Sequence, residues 1–261
     1  GGGGGEGGGI PRIIHQTWKT DVVEDLPEMF RVFHEKWKAM HPGWQVKIWS
    51  DQAMEQEVQK HYPLWYPIFK RFPKPVERAD LFRYLVLDQY GGVYVDMDME
   101  PLKPMDDLLA LLGQPECVLG QEPFEHAAVL EHKGHFVCNA FLASRPGHGL
   151  WKGLTGAIWR TAMKEGKRGM WDPVGFTGPR ALTRLVEREP SLTRGCALLK
   201  PEVLYPAFDL TAKLDRKCLK LARSAFLARS KMSYLHAEAC KSVVATMKAH
   251  REAEQGGPPS E

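Results

Sequence analysis

The chain has 261 residues, with 35 Lys and Arg against 32 Asp and Glu, a formal net charge of +3 and a hydrophobic content of 43%. That composition supports one sizeable domain, or one with an appendage, and is too weakly basic to indicate nucleic-acid binding. Five scattered cysteines without a CxxC pair exclude a cysteine zinc module and an evident disulfide framework, and no run of about 18 apolar residues is present to span a membrane.

Residues 1–9, GGGGGEGGG, lack the basic and apolar regions of a signal peptide and read as a disordered, glycine-rich lead. Ordered sequence starts at Ile10. Residues 12–18 have the β-branched density of a first strand, and Glu28–Met40 places Phe30, Phe33 and Trp37 at helical spacing. Gln45–Trp49 alternates as a second strand, and Ser50 can cap a helix over 52–61. The connection 62–75, with four prolines, is expected to be irregular. After the central stretch, 106–112 reads as a short helix, 117–119 and 136–143 as strands, and 150–165 and 178–186 as helices. Residues 198–204 read as a strand interrupted by Pro201. A basic segment, 213–231, sets Leu214, Cys218, Leu221 and Ala225 on one helical face, and disorder is expected from about Ala253 on. Strands alternating with helices argue an α/β sandwich.

The central stretch is 78–101, RADLFRYLVLDQYGGVYVDMDMEP. Pro75 suits a first helical turn, and the residues that follow are apolar on nearly every face, as in a core helix. That helix nevertheless carries Asp80 and Arg83, three apart and so neighbours. Buried charges need partners. Gly91-Gly92 ends the helix, Val93-Tyr94-Val95 starts a strand, and Asp96, Asp98 and Glu100 follow. In an extended chain these three carboxylates share a face at spacings of about 6.5–7 Å. Such a concentration of like charge calls for a cation, and oxygen ligands suit a hard divalent ion completed by phosphate oxygens.

Four segments resemble glycosyltransferase family 32: IPRIIHQTWKT, ERADLFRYLVLDQYGGVYVDMDMEPL, CNAFLASRPGHGLW and FTGPRAL. These are the DXD-containing sugar-binding enzymes related to the fungal initiating α-1,6-mannosyltransferase and the inositol-phosphoceramide mannosyltransferases. The resemblance implies a GT-A type α/β fold, a mixed central sheet flanked by helices, over residues 10–209. A helical segment, 210–250, would pack on that domain, and 251–261 would form a disordered tail. It also implies metal-dependent, retaining transfer of a hexose, mannose first, from GDP-mannose or a UDP-hexose to a glycan or glycolipid such as a glycosphingolipid. Asp80 and Arg83 would contact the donor sugar and its phosphates, Asn139 would lie near the sugar as a further catalytic residue, and Trp18 would stack on the base. Asp96 and Asp98 would hold Mn2+ or Mg2+. Relatives close the donor site with a histidine followed by Ser-Trp; here His236 precedes AEACKS without the tryptophan, and stands as the substitute third ligand. The family also implies a Golgi or other endomembrane lumen.

Several residues admit plainer readings. Trp18 reads equally as a core tryptophan, and Asn139 as a strand-end amide capping a turn. His126, His132 and His135, with Glu125 and Glu131, form a loop cluster in which zinc is the minor alternative to an incidental grouping. The basic 213–231 segment suits peripheral contact with an anionic membrane, although a solvated face is the simpler account. Two other functions share the carboxylates. One is a nucleotide-sugar or carbohydrate binding module without transfer activity; the other is a metal-dependent phosphohydrolase, which would give Trp18 and Asn139 no role.

Overall fold

The computed structural model describes residues 8–165, 172–205, 213–225 and 231–255. The elements run β1 (Ile13–Thr17), α1 (Glu28–Met40), β2 (Gln45–Trp49), α2 (Asp51–His61), the single-turn α3 (Tyr66–Phe69), α4 (Pro75–Tyr90), β3 (Gly92–Val95), α5 (Met105–Leu111) and β4 (Cys117–Gln121). They continue with α6 (Phe124–Glu131), β5 (Val137–Ser144), α7 (Gly149–Glu165), α8 (Pro173–Phe176), α9 (Pro179–Arg188), β6 (Cys196–Leu199), α10 (Pro201–Leu204), α11 (Leu214–Ala225) and α12 (Lys231–Gln255). The strands form one sheet in the order β2-β1-β3-β5-β4-β6. β1 runs parallel to both β2 and β3, whereas β3 and β5 are antiparallel, so the sheet is mixed as expected.

The chain divides into two compact units, Gly1–Leu119 with Val137–Leu198, and Gly120–Phe136 with Leu199–Glu261. The core of the first gathers Trp49, Phe82, Leu85, Leu142 and Trp151 around α4. Burying one such side chain contributes about 1.5–3 kcal/mol, so packing rather than helix propensity holds α4 in place. Its ends are built locally. Pro75 occupies the first turn, and the Glu77 carboxylate accepts the Lys74 N–H at 3.0 Å. At the other end Gly91 and Gly92 take φ of 63° and 94°; a Cβ would lie 2.6 Å from Pro146 N on the first and 2.4 Å from Ile13 O on the second. Only glycine allows α4 to reverse so tightly into β3.

In the second unit α6, α11 and α12 pack around Ala128, Val129, Leu214, Ala239 and Val243. Leu214 and Cys218 of the basic segment face inward, as their spacing predicts; the side chains of Leu221 and Ala225, and the expected boundary at 209, lie outside the described residues. Cys218 is disulfide-bonded to Cys240, joining α11 to α12. No local pattern signals that bridge, because its partners are 22 residues apart in sequence and meet only where α11 packs on α12.

Five expectations need correction. The three carboxylates do not form an extended row: Asp96 N–H makes the last rung to Ala140 O, and the chain then turns, with Met99 N–H donating to Asp96 O at 3.1 Å. Pro201 does not interrupt a strand but starts α10 after β6 has ended, a first-turn position that needs no N–H donor. The histidine segment is no loop: His126 lies within α6, and His132 ends it in the left-handed conformation. The proline-rich connection includes α3, with its proline in the first turn. Finally α12 continues to Gln255, so residues 253–255 are helical; a Lys248–Glu252 pair, four apart, supports this last stretch.

Candidate active site

The site is organised by Arg83, whose side chain is 5% exposed in the middle of α4. Its Nη1 donates to Asn139 O at 2.6 Å and lies 3.2 Å from Asp96 Oδ1, while Nη2 lies 3.3 Å from Asp80 Oδ1. The guanidinium also stacks over the Tyr94 ring at 4.5 Å. A planar, forked cation is what this geometry requires, since it meets two carboxylates, a carbonyl and a ring face at once.

Each partner is itself held. Asp80 accepts Asn139 Nδ2 at 2.9 Å and Thr177 Oγ1 at 3.0 Å. Asn139 Nδ2 lies 3.0 Å from Tyr84 Oη, which donates to Thr177 O at 2.9 Å. The Tyr94 hydroxyl sits 2.9 Å from both Asp96 Oδ1 and Thr17 Oγ1. Burial pushes the Asp80 and Asp96 carboxyls upward, and Arg83 opposes it in both. Burial also works against the Arg83 charge, but Asp96, Tyr94 and Asp80 outweigh it and hold the guanidinium well above its ordinary range. Arg83 therefore stays charged.

A cavity of about 410 Å³ opens over this network, lined by Thr17, Trp18, Phe30, Asp51, Arg83, Asp96 and Asp98 among others. Trp18 meets Phe30 edge-on at 4.8 Å, which fixes one wall. The structure thus brings Trp18, Arg83, Asp96 and Asp98 to one cavity, with Asp80 and Asn139 bonded to Arg83. Glu100 pairs with Lys36 instead. His236 belongs to the second unit, where its Nε2 meets His132 Nδ1 at 2.8 Å; His126 pairs with Glu122 there. Thr17, Tyr94 and Thr177 are functional neighbours that sequence reasoning missed. For Thr177 no local signal existed, since it reaches Asp80 across 97 residues.

The donor set fits a divalent ion with an oxygen-rich anion. Both contacts on Asp96 use Oδ1, so Oδ2 remains for a hard cation, and Asp98 is exposed at the cavity. Two buried donors, Trp18 Nε1 and Arg83 Nε, have no hydrogen-bond partner. Buried N–H groups without acceptors are costly, and both belong to residues lining the cavity.

The mixed six-stranded sheet flanked by helices is a GT-A type α/β fold. A UDP-bound glycosyltransferase domain from the YGT toxin shares it, with a TM-score of 0.51 at 10% identity, covering 92% of this chain and 91% of that one. Residues 27–112 match the family model described as a glycosyltransferase sugar-binding region containing a DXD motif. The chain is 37% identical over 123 residues to a mannosyl phosphorylinositol ceramide synthase, SUR1, of Saccharomyces cerevisiae, covering 44% of this chain and 31% of that protein. It is 38% identical over 104 residues to inositol phosphoceramide mannosyltransferase 1 of Schizosaccharomyces pombe, covering 39% and 32%. With an initiation-specific α-1,6-mannosyltransferase of Candida albicans the identity is 30% over 105 residues, covering 39% and 27%. The resemblance to family 32 is therefore borne out, and the chain spans about a third of the length of the first of these relatives.

Proposed function

We propose that the protein is a metal-dependent, retaining glycosyltransferase that moves a hexose, mannose before others, from a nucleotide-sugar donor to a hydroxyl of a glycan or glycolipid. The observation that carries this reading is the cavity itself, where two carboxylates for a cation lie beside the charged Arg83 and the aromatic wall of Trp18 and Phe30. Asp96 and Asp98 would hold Mn2+ or Mg2+, which supplies charge neutralisation for the departing diphosphate. Arg83 would face the donor phosphates and remains a cation because Asp96 and Asp80 flank it. Asp80 and Asn139 act chiefly by fixing Arg83, and Trp18 presents its ring face to the base and its Nε1 to an acceptor oxygen. Retention needs no dedicated base if the leaving diphosphate takes the acceptor proton on the same face. Relatives named as inositol-phosphoceramide mannosyltransferases make an inositol-phosphate lipid headgroup the first acceptor to try. An endomembrane lumen suits that chemistry; among the described residues no helix is long and apolar enough to cross a membrane.

The test is donor turnover with Mn2+, measured with GDP-mannose, UDP-galactose and UDP-glucose in turn, with the product anomer read by NMR. Asp98→Ala should abolish turnover while leaving the circular dichroism spectrum unchanged, because the side chain is exposed. Near-normal turnover in that variant would overturn the assignment. Donor binding without turnover of any sugar would instead identify a binding module.

A further inference from the structure

Neighbouring strands β4 and β6 each begin with a cysteine, Cys117 and Cys196. Glu116 N–H donates to Gly195 O at 3.0 Å, so the two cysteines start side by side. Their sulfurs and a ring nitrogen of His148 all lie within 4.8 Å of one another. The pair is asymmetric: Cys117 is fully buried, and Cys196 is partly exposed.

His148, just before α7, decides how the group behaves. Its Nδ1 accepts the Leu150 N–H at 3.3 Å, so the neutral ring carries its proton on Nε2. That Nε2 sits 3.8 Å from Cys196 Sγ and 3.9 Å from Glu116 Oε2, and Glu116 is paired with Arg145 at 3.0 Å. Hydrogen bonding from the Cys117 thiol, with His148 assisting, draws the Cys196 thiol below the usual range against the opposing effect of burial. Burial pushes Cys117 the other way. An accessible thiolate beside a buried, protonated thiol is the pairing of an attacking and a resolving cysteine. A soft metal ion would need the Nε2 lone pair, which this tautomer does not offer while Leu150 holds Nδ1.

We propose that Cys196 and Cys117 form a reversible thiol–disulfide site whose oxidising substrate is hydrogen peroxide. The Cys196 thiolate attacks a peroxide oxygen; an S–O bond forms as the O–O bond breaks. The departing hydroxide takes up the proton that Cys196 released and leaves as water. Cys117 sulfur then attacks Cys196 sulfur, the S–O bond breaks, and the hydroxyl leaves with the Cys117 proton as a second water. Two thiols lose two electrons, and one peroxide gains them. The site shares no residue with the donor cavity and does not depend on the proposed transferase activity.

The experiment treats the full chain with one equivalent of hydrogen peroxide and maps its peptides. The expected product is a Cys117–Cys196 linked peptide, lighter by two hydrogens and restored by dithiothreitol. At pH 7 iodoacetamide should label Cys196 about tenfold or more faster than buried Cys138, since an ordinary thiol is only a few per cent ionised there. His148→Gln should remove part of that advantage and leave the part that the Cys117 hydrogen bond supplies. Cys117→Ala, which deletes only a small buried group, should leave a Cys196 sulfenic acid that dimedone traps. Labelling no faster than Cys138, oxidation of Cys196 without a link, or zinc bound stoichiometrically with both thiols blocked would each overturn the proposal.

Discussion

His15 offers a quantitative test of how the sheet beneath the site is held. It is 1% exposed on β1, with Nε2 donating to Gly91 O at 2.9 Å and Nδ1 accepting Trp49 Nε1–H at 3.1 Å. These two bonds fix one neutral tautomer, and a second proton would leave two donors facing each other. Burial, with Lys47 adding to it against the Gly91 bond, lowers the imidazole from 6.5 to about 4. The unfolded chain therefore binds this proton where the folded one does not. The contribution to stability is fully present above about pH 6.5 and is lost as the pH falls towards 4. Integrating that shift gives a loss of roughly 2–3 kcal/mol between pH 7 and pH 4.5. His15→Gln keeps a donor and an acceptor but cannot titrate. Urea unfolding of both proteins at pH 7, 5.5 and 4.5 should show the wild type losing that much more than the variant. The buried carboxylates cancel in the difference, because both proteins carry them. Parallel stability curves would refute the assigned burial and tautomer.

Arg83→Lys should fail despite keeping the charge, since one nitrogen cannot reach Asp80, Asp96 and Asn139 O together; about 3 kcal/mol should be lost, seen by calorimetry as a fall in Tm of roughly 6–12 °C. Tyr94→Phe removes the hydroxyl shared by Thr17 and Asp96. It should cost about 1–2 kcal/mol and weaken Mn2+ binding several-fold in a calorimetric titration, because Asp96 loses its orientation. Cys218→Ser opens a bridge closing 22 residues, and should lower stability by about 3 kcal/mol; a wild-type Tm unchanged by reductant would contradict it.

What the sequence disclosed and what it withheld divide along physical lines. The helix–Gly-Gly–strand block was legible because its signals are local: an apolar helix with two charges, two glycines, then β-branched and aromatic residues. The charges had to be partnered, and they are, although in a network that also draws in Thr177 and Asn139 from far along the chain. The acids do not share a face because alternation holds only while a strand continues, and β3 stops at Val95. In 213–231 charge and helical spacing mark an apolar face, and Leu214 and Cys218 are buried on it. What that face packs against, Ala128, Val129, Ala239 and Val243, and the bridge to Cys240 come from other segments, so no local pattern reveals them. Spacing does not link the cysteines, yet Cys117 and Cys196 meet because β4 and β6 are neighbours.

The central claim is that Asp96 and Asp98 seat a divalent ion that binds a nucleoside diphosphate in the cavity under Trp18 and Arg83. Thermal shift with GDP or UDP, with and without Mn2+, tests it directly, as a ligand at a hundred times its Kd stabilises by about 2.7 kcal/mol. One of the two nucleotides should raise the Tm of the wild type only when Mn2+ is present, and should leave Asp98→Ala unmoved. Equal stabilisation of both proteins, or of neither by either nucleotide, would contradict the account.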